Sequence, residues 1–254
     1  MATINGEAKA LFSLTVAEGK RLIGKAVAEL PVVKKAYKHG RLIIANGITN
    51  AYIVEEILGQ PIEKMRYTAG VVTQGQYSAT RGENRMAPVC FEDGKQSNHP
   101  WPDILDEFTA DDVFIKGANA IDPAGMAGVL VGAPNGGTCG LALGRLYARG
   151  SHVIVPVSRE KLIPSVEAAV RQLGIHALDD SLGMTCGMVP IVGATVITEI
   201  EALSTLFRVE ALQVSAGGVG GSEGSVGLLI RGDEEEVAAA MTCIRNIKGE
   251  PAVS

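Results

Sequence analysis

Apolar positions between residues 16 and 30 recur at helical spacing: Leu22, Ile23, Ala26, Val27 and Leu30 fall along one face. The helix they predict has a start signal. Thr15-Val-Ala-Glu18 has the form of a capping box, with the threonine oxygen on the N3 amide and the glutamate reaching back to the cap amide. Pro31 suits the first turn of a second helix, which runs through Val33 and Ala36 and stops at Gly40. Arg41-Leu-Ile-Ile-Ala45 predicts a short buried strand. Asn46–Thr49 then turns, and Asn50–Leu58 predicts a helix closed by Gly59. Residues 1–14 carry little pattern.

Residues 60–109 are the least regular. They hold one strand candidate, Met65–Val72, and then a polar stretch punctuated by Gly75, Gly82, Pro88, Gly94, Pro100 and Pro102. A loop of this length inside a domain is usually functional, as a lid is. Beyond it, strands are predicted at Asp112–Lys116, Gly128–Val131 and His152–Val157, and helices at Leu141–Arg149 and Val166–Leu173. In the last third, Thr195–Ile200, Val209–Ser215 and Ser225–Arg231 read as strands, and Glu201–Phe207 as a short helix. Asp233 caps a final helix, Glu234–Ile247, with acidic residues in its first turn and Arg245 and Lys248 at its end.

This rhythm predicts an α/β fold: a mostly parallel twisted sheet flanked by helices, with a small C-terminal ferredoxin-like α+β subdomain. The expected division is a core domain over 1–190 and the subdomain over 191–254. Composition agrees. Hydrophobic residues are 46% but aromatics only 4%, so the core is built from Val, Ile, Leu and Ala, and the 31 glycines let backbones approach closely. A chain of 254 residues buries enough surface to fold without a disulfide or metal staple.

The net charge of −5 excludes a uniform basic coat, so no nucleic-acid partner is expected, although a local basic pocket remains open. Cys90, Cys139, Cys186 and Cys243 form no CxxC, and His39, His99, His152 and His176 no HxH or HxxxH. No metal site and no cofactor are expected. Reduced thiols, the absence of an apolar run of about 20 residues and the absence of a signal-peptide pattern give the expectation of a cytoplasmic protein with no membrane partner.

The candidate chemistry lies in loops that follow predicted strands. In Asn46-Gly47-Ile48-Thr49 a strand ends and a helix begins, and free helix-start amides favour an anion; Thr49 or Asn50 can equally be a cap. Lys116-Gly117-Ala118-Asn119-Ala-Ile-Asp122-Pro123 sets polar groups directly after an apolar strand, where open α/β sheets bind ligands; Asp122-Pro123 can also be a simple turn. Asn135-Gly136-Gly137-Thr138-Cys139-Gly140 suits an anion nest or a tight strand-to-helix turn, and is neither a P-loop nor GxGxxG. Ser158-Arg159-Glu160-Lys161 offers cations to an anionic substrate or a solvated helix start. Arg81 and Arg85 clamp an anion or stand exposed, and the loop 217–224 is a hairpin connection or a lid delivering Glu223.

Taken together, these loops resemble the NagB/RpiA/CoA-transferase-like superfold. Ala45-Asn-Gly-Ile-Thr49 is similar to the GTGST phosphate loop of ribose-5-phosphate isomerase A, and Gly117-Ala-Asn-Ala-Ile-Asp-Pro123 to its GADEIDP sugar-site segment. Asn135–Gly140 and Lys161 match its following glycine-rich loop and its substrate-contacting lysine. Gly117–Ile121 and Gly137-Thr138 also resemble the initiation-factor-2B and methylthioribose-phosphate isomerase branch. The likeness covers residues 30–60 and 110–165. The sequence departs from it at Asn119, where both branches have an aspartate, and over Leu141–Tyr147, which lacks the isomerase's carboxylate base.

The resemblance implies an enzyme acting on a small phosphorylated or carboxylated metabolite by isomerase-like or lyase-like proton transfer. Asp122, Lys116 and Lys161 are the expected catalytic residues. Asn46, Gly47, Thr49, Gly117, Asn119, Asn135, Gly136, Gly137, Thr138 and Arg159 are the expected ligand-binding ones. A homo-oligomer is the expected assembly. The alternatives are a non-catalytic metabolite sensor or regulatory subunit on the same fold, and an interaction protein using the 217–224 loop.

Overall fold

The structure, a computed structural model, describes residues 7–80 and 82–253. The chain opens with a strand, β1 (Glu7–Leu14), where the pattern predicts none. Two helices follow, α1 (Val16–Glu29) and α2 (Pro31–His39), and Thr15 and Glu18 form the expected capping box. β2 (Arg41–Ile44) leads into α3 (Ile48–Leu58). The irregular segment holds two hairpins, β3 (Gly70–Thr73) with β4 (Gln76–Ala79), and β5 (Val89–Glu92) with β6 (Lys95–Ser97), and then α4 (Trp101–Asp106). Next come β7 (Val113–Ile115), β8 (Ala120–Ile121), β9 (Ala127–Val131), α5 (Gly137–Arg149) and β10 (His152–Pro156). The remainder is α6 (Val166–Gln172), β11 (Gly187–Ile191), β12 (Thr195–Ile197), α7 (Glu199–Leu206), β13 (Val209–Ala216), β14 (Val226–Asp233) and α8 (Glu234–Ile247).

The main sheet has six strands in the order β12-β10-β7-β2-β5-β6. Its first four are mutually parallel, and the β5–β6 hairpin adds two antiparallel strands beyond β2. The sheet is thus mixed, with the parallel part carrying the site. Alternate residues of the central strands enter two separate cores, as the two-residue period of a strand requires. Leu42, Ile44, Val113, Ile115 and Ile154 pack on the side of α1, α3, α7 and α8. Ile43, Phe114, Val153 and Val155 pack on the other side, against α4, α5 and the small sheet β11-β9-β8. Burial on both faces is why these strands read as unbroken apolar runs.

After β2 the chain moves to β5 on one side and returns to β7 on the other. The carboxyl ends of β2 and β7 therefore flank the place where the strand order reverses, the position at which open α/β sheets form a crevice.

Three sequence expectations are corrected. Met65–Val72 is not one strand: Lys64–Tyr67 is a 3-10 turn, and pairing begins only at Gly70. The buried Tyr67 explains the interruption, because its hydroxyl donates to Ile44 O (2.5 Å) and accepts from Val89 N (2.8 Å), which wedges the turn between β2 and β5. Residues 195–250 do not make their own β-α-β-β-α sheet. β12 pairs in parallel with β10, and the three-stranded sheet β1-β14-β13 takes its third strand from the N-terminal segment. The outermost turn of the last helix differs as well: Asp233 occupies the cap position but makes no side-chain cap hydrogen bond, and ends β14. Its Val237, Ala240 and Ile244 are buried, and Met241 packs at the edge of the same core.

Candidate functional site

Because β2, β7 and β10 are parallel, the loops that leave them emerge at one edge of the sheet. At β2, Gly47 N donates to Tyr67 O (2.7 Å) and Asn46 Nδ2 to Met86 O (2.9 Å), so the loop is tied to the segment above it. Thr49 and Asn50 fall in the first turn of α3 and are buried. Asn50 Nδ2 donates to Ala45 O (2.6 Å) and lies 3.4 Å from Ile115 O, which fixes the amide orientation, since the reverse would set oxygen against two carbonyls. Its Oδ1 is buried without a partner and faces Gly117, where a Cβ would stand 3.5 Å away.

The loop after β7 collects two lysines. Lys116 Nζ donates to Gly117 O (3.0 Å), and Lys161 Nζ, from the 3-10 turn Arg159–Lys161 beyond β10, donates to Ala118 O (2.9 Å). Both side chains are half-buried, and among the described residues neither forms an ion pair. Burial lowers the affinity of Lys116 for its proton, opposed only by the nearby Cys139. Burial also leads in pulling Lys161 down to about 8, helped by Lys20 and Lys116 and opposed by Glu160 and Glu199. The Cys139 thiol, at the start of α5, is pushed up by burial.

Beneath Lys161 is a charged layer that sequence reasoning missed. Lys20 of α1 pairs with Glu160 (2.9 Å), and both are largely buried. Glu199, fully buried, accepts from Ser158 Oγ (2.5 Å) and Arg159 N (2.9 Å), and burial raises its pKa. Lys20 had a legible signal, since it shares a helix face with Ile23 and Val27, three and seven positions on. Glu199 was hidden by a misplaced boundary: the pattern puts it in a strand over Thr195–Ile200, whereas β12 ends at Ile197 and Glu199 opens α7.

Other expected site residues are engaged elsewhere. Asp122 accepts three backbone amides, Ala124 N (3.1 Å) and Met126 N (3.0 Å) in its own turn and Val166 N (3.0 Å) at the start of α6. Its role is to close the turn and cap a helix, which removes the geometric basis for proton transfer by it. Asn119 Oδ1 accepts Leu130 N (3.0 Å) and braces β9. Asn135 Oδ1 accepts Gly137 N (3.0 Å), and Gly136 and Gly137 hold positive φ of 76° and 55°. This is the tight strand-to-helix turn, and it draws Gly136, Gly137 and Thr138 into the start of α5. Arg159 Nε donates to Gln213 Oε1 (2.5 Å), which turns the side chain toward β13. Arg81 lies outside the described residues, and Arg85 bonds Thr80 O (2.5 Å). In the 217–224 loop, Glu223 accepts Gly221 N (2.9 Å) instead of reaching the lysines, while Gly224 approaches Glu160 (3.3 Å from a Cβ to Oε2).

The arrangement thus offers two unpaired ammonium groups and one unpartnered amide oxygen around the tripeptide Lys116–Ala118. It can hold an acidic group and accept a hydrogen bond from a neutral donor beside it. Among the described residues, no group of three or more His, Cys, Asp or Glu is placed to hold a metal ion, and no helix is long and apolar enough to cross a membrane. No family model, curated protein or solved structure matches the chain.

Proposed function

We propose that the protein is an enzyme acting on a small phosphorylated or carboxylated metabolite by isomerase-like or lyase-like proton transfer, with Lys116 and Lys161 as its cationic groups. The observation that carries this reading is the convergence of both lysines on consecutive carbonyls of one loop, without an ion-pair partner among the described residues. Cations drawn partly out of water are normally paired, because desolvation without a countercharge is costly. Two left open at the switch point of a parallel sheet are what an anionic substrate would complete. The layer below leaves the two lysines without a dedicated countercharge: Lys20 pairs with Glu160, and Glu199 is held by Ser158 and the Arg159 amide.

A metabolite sensor is the second reading. The backbone engagement of Asp122, Asn119 and Asn135 favours it, because no free carboxylate is left at the lysines to serve as a base.

Calorimetry with inorganic phosphate, and thermal-shift screening of phosphorylated and carboxylated metabolites followed by product analysis, tests the proposal. Binding is expected in the wild type and weakened by roughly tenfold or more in Lys116→Met and in Lys161→Met, the share of one charge-assisted hydrogen bond. Product formation from a hit establishes the enzyme. Stabilisation without product establishes the sensor. Binding that ignores both substitutions removes the site.

A further inference from the structure

The Lys161 amine stands in an environment suited to covalent chemistry. Its Nζ is held by one neutral acceptor, Ala118 O (2.9 Å), and by no carboxylate among the described residues. Lys116 Nζ is anchored one peptide unit away on Gly117 O (3.0 Å). Asn50 Oδ1 waits unpartnered beside Gly117, its orientation fixed by the two carbonyls behind it. Gly47, Lys116, Gly117 and Lys161 all keep partial exposure at the loop edge, with Asn50 buried behind them.

We infer that Lys161 is a nucleophilic lysine that condenses with a small aldehyde or ketone bearing an acidic group, Lys116 neutralising the acid and Asn50 Oδ1 accepting a substrate hydroxyl. The inference rests on the metabolite-binding reading above and names its substrate class. In the step itself the Lys161 nitrogen adds to the carbonyl carbon, and the carbonyl oxygen leaves as water. The ammonium supplies the two protons that the water carries away, and the one remaining proton stays on the iminium nitrogen. Charge is conserved at +1 and no oxidant or reductant is needed. The iminium withdraws electrons from the adjacent carbon, which serves both isomerase-like and lyase-like reactions.

The groups that face Lys161 set its pH response. They are Lys20 from α1, Lys116 from the end of β7, Glu160 from its own turn and Glu199 from α7, with Cys139 of α5 acting on Lys116. Burial first and the two lysines next bring its amine form into reach near pH 8.

The test is reductive trapping of the full-length protein with glyoxylate and, separately, glycolaldehyde phosphate as probes and cyanoborohydride as reductant. Peptide mass spectrometry reads every lysine. Lys161 is expected to be labelled roughly 10- to 100-fold faster than exposed lysines such as Lys9 and Lys95, because its amine form is far more populated. Its labelling should rise through about pH 8. In Lys116→Met, which removes a like charge, that rise should move to higher pH. In Lys161→Arg the selective label should vanish while the circular dichroism spectrum is kept. Labelling of wild-type protein that follows exposure, with Lys161 no faster than Lys9, overturns the inference and needs no folded variant. Phosphate binding by calorimetry separates the two proposals. Retained phosphate binding without Lys161 labelling sinks only the covalent step, and loss of both sinks the site.

Discussion

Gly19 of α1 lies against the carboxylate of Glu199 of α7: a Cβ at position 19 would stand 2.6 Å from Oε1. The contact lets helix α1 approach the floor of the lysine cluster, and only a hydrogen at that position leaves Glu199 its bonds to Ser158 and Arg159.

Gly19→Ala sets two effects against each other. Alanine improves an interior helix position by about 1 kcal/mol. Overpacking against a fully buried carboxylate costs about 1–3 kcal/mol. The melting temperature is expected to fall, and a rise in a thermal melt would show that Glu199 gives way freely. Gly24→Ala is expected to be the more damaging, since its Cβ would meet Tyr52 Cβ at 2.9 Å and the Tyr52 backbone at 3.1 Å, neither of which can swing aside.

Asp122→Asn is expected to destabilise the protein by about 1–3 kcal/mol, because the amide NH2 must face at least one of three backbone donors. Urea denaturation measures it. An unchanged midpoint would show that the turn does not depend on the carboxylate.

Tyr67→Phe removes the buried hydroxyl that bonds both Ile44 O and Val89 N. A loss of about 1–3 kcal/mol is expected in denaturant melts. The effect should be far smaller for Tyr77→Phe, whose side chain is exposed.

The pH dependence of stability has a defined sign at Lys161. The folded amine titrates near 8, against an ordinary value of 10.5. Between these values the unfolded chain holds more protons, so stability rises with pH across that window. Relative to Lys161→Met, the wild type should gain in urea midpoint from below pH 8 toward 10.5. A constant difference would mean that the amine is not depressed.

Several elements were legible because one physical cause dominated each. The capping box at Thr15 is local chemistry and needs no tertiary context. β7 reads plainly because Val113, Phe114 and Ile115 are buried on both faces. β1 was illegible for the opposite reason. Its inward row, Ala8, Ala10, Phe12 and Leu14, begins with small residues, and Leu11 on the outward row is 68% exposed, which blurs the alternation. Its partner β14 also lies at the far end of the sequence. Lys116 and Lys161 were legible as residues beyond strand ends, but Asp122, Asn119 and Asn135 were misread. A polar side chain that holds backbone and one that awaits a ligand look alike until the amides around it are placed.

The pairing of β1 with β14 imposes an order of events on biosynthesis. Residues 7–14 leave the ribosome long before the strand they bond to, 226–233, is made. At about 5–20 residues per second the intervening chain takes roughly 10–40 s to appear. Through that interval β1 is an open edge, with Ala8, Ala10 and Phe12 lacking the cover they have in the folded core. An unpaired strand edge of that kind is a template for pairing with another nascent chain. Transposing residues 7–14 to follow α8 would place the two strands in the same late window, turning a long-range strand pairing into a local one that folds faster.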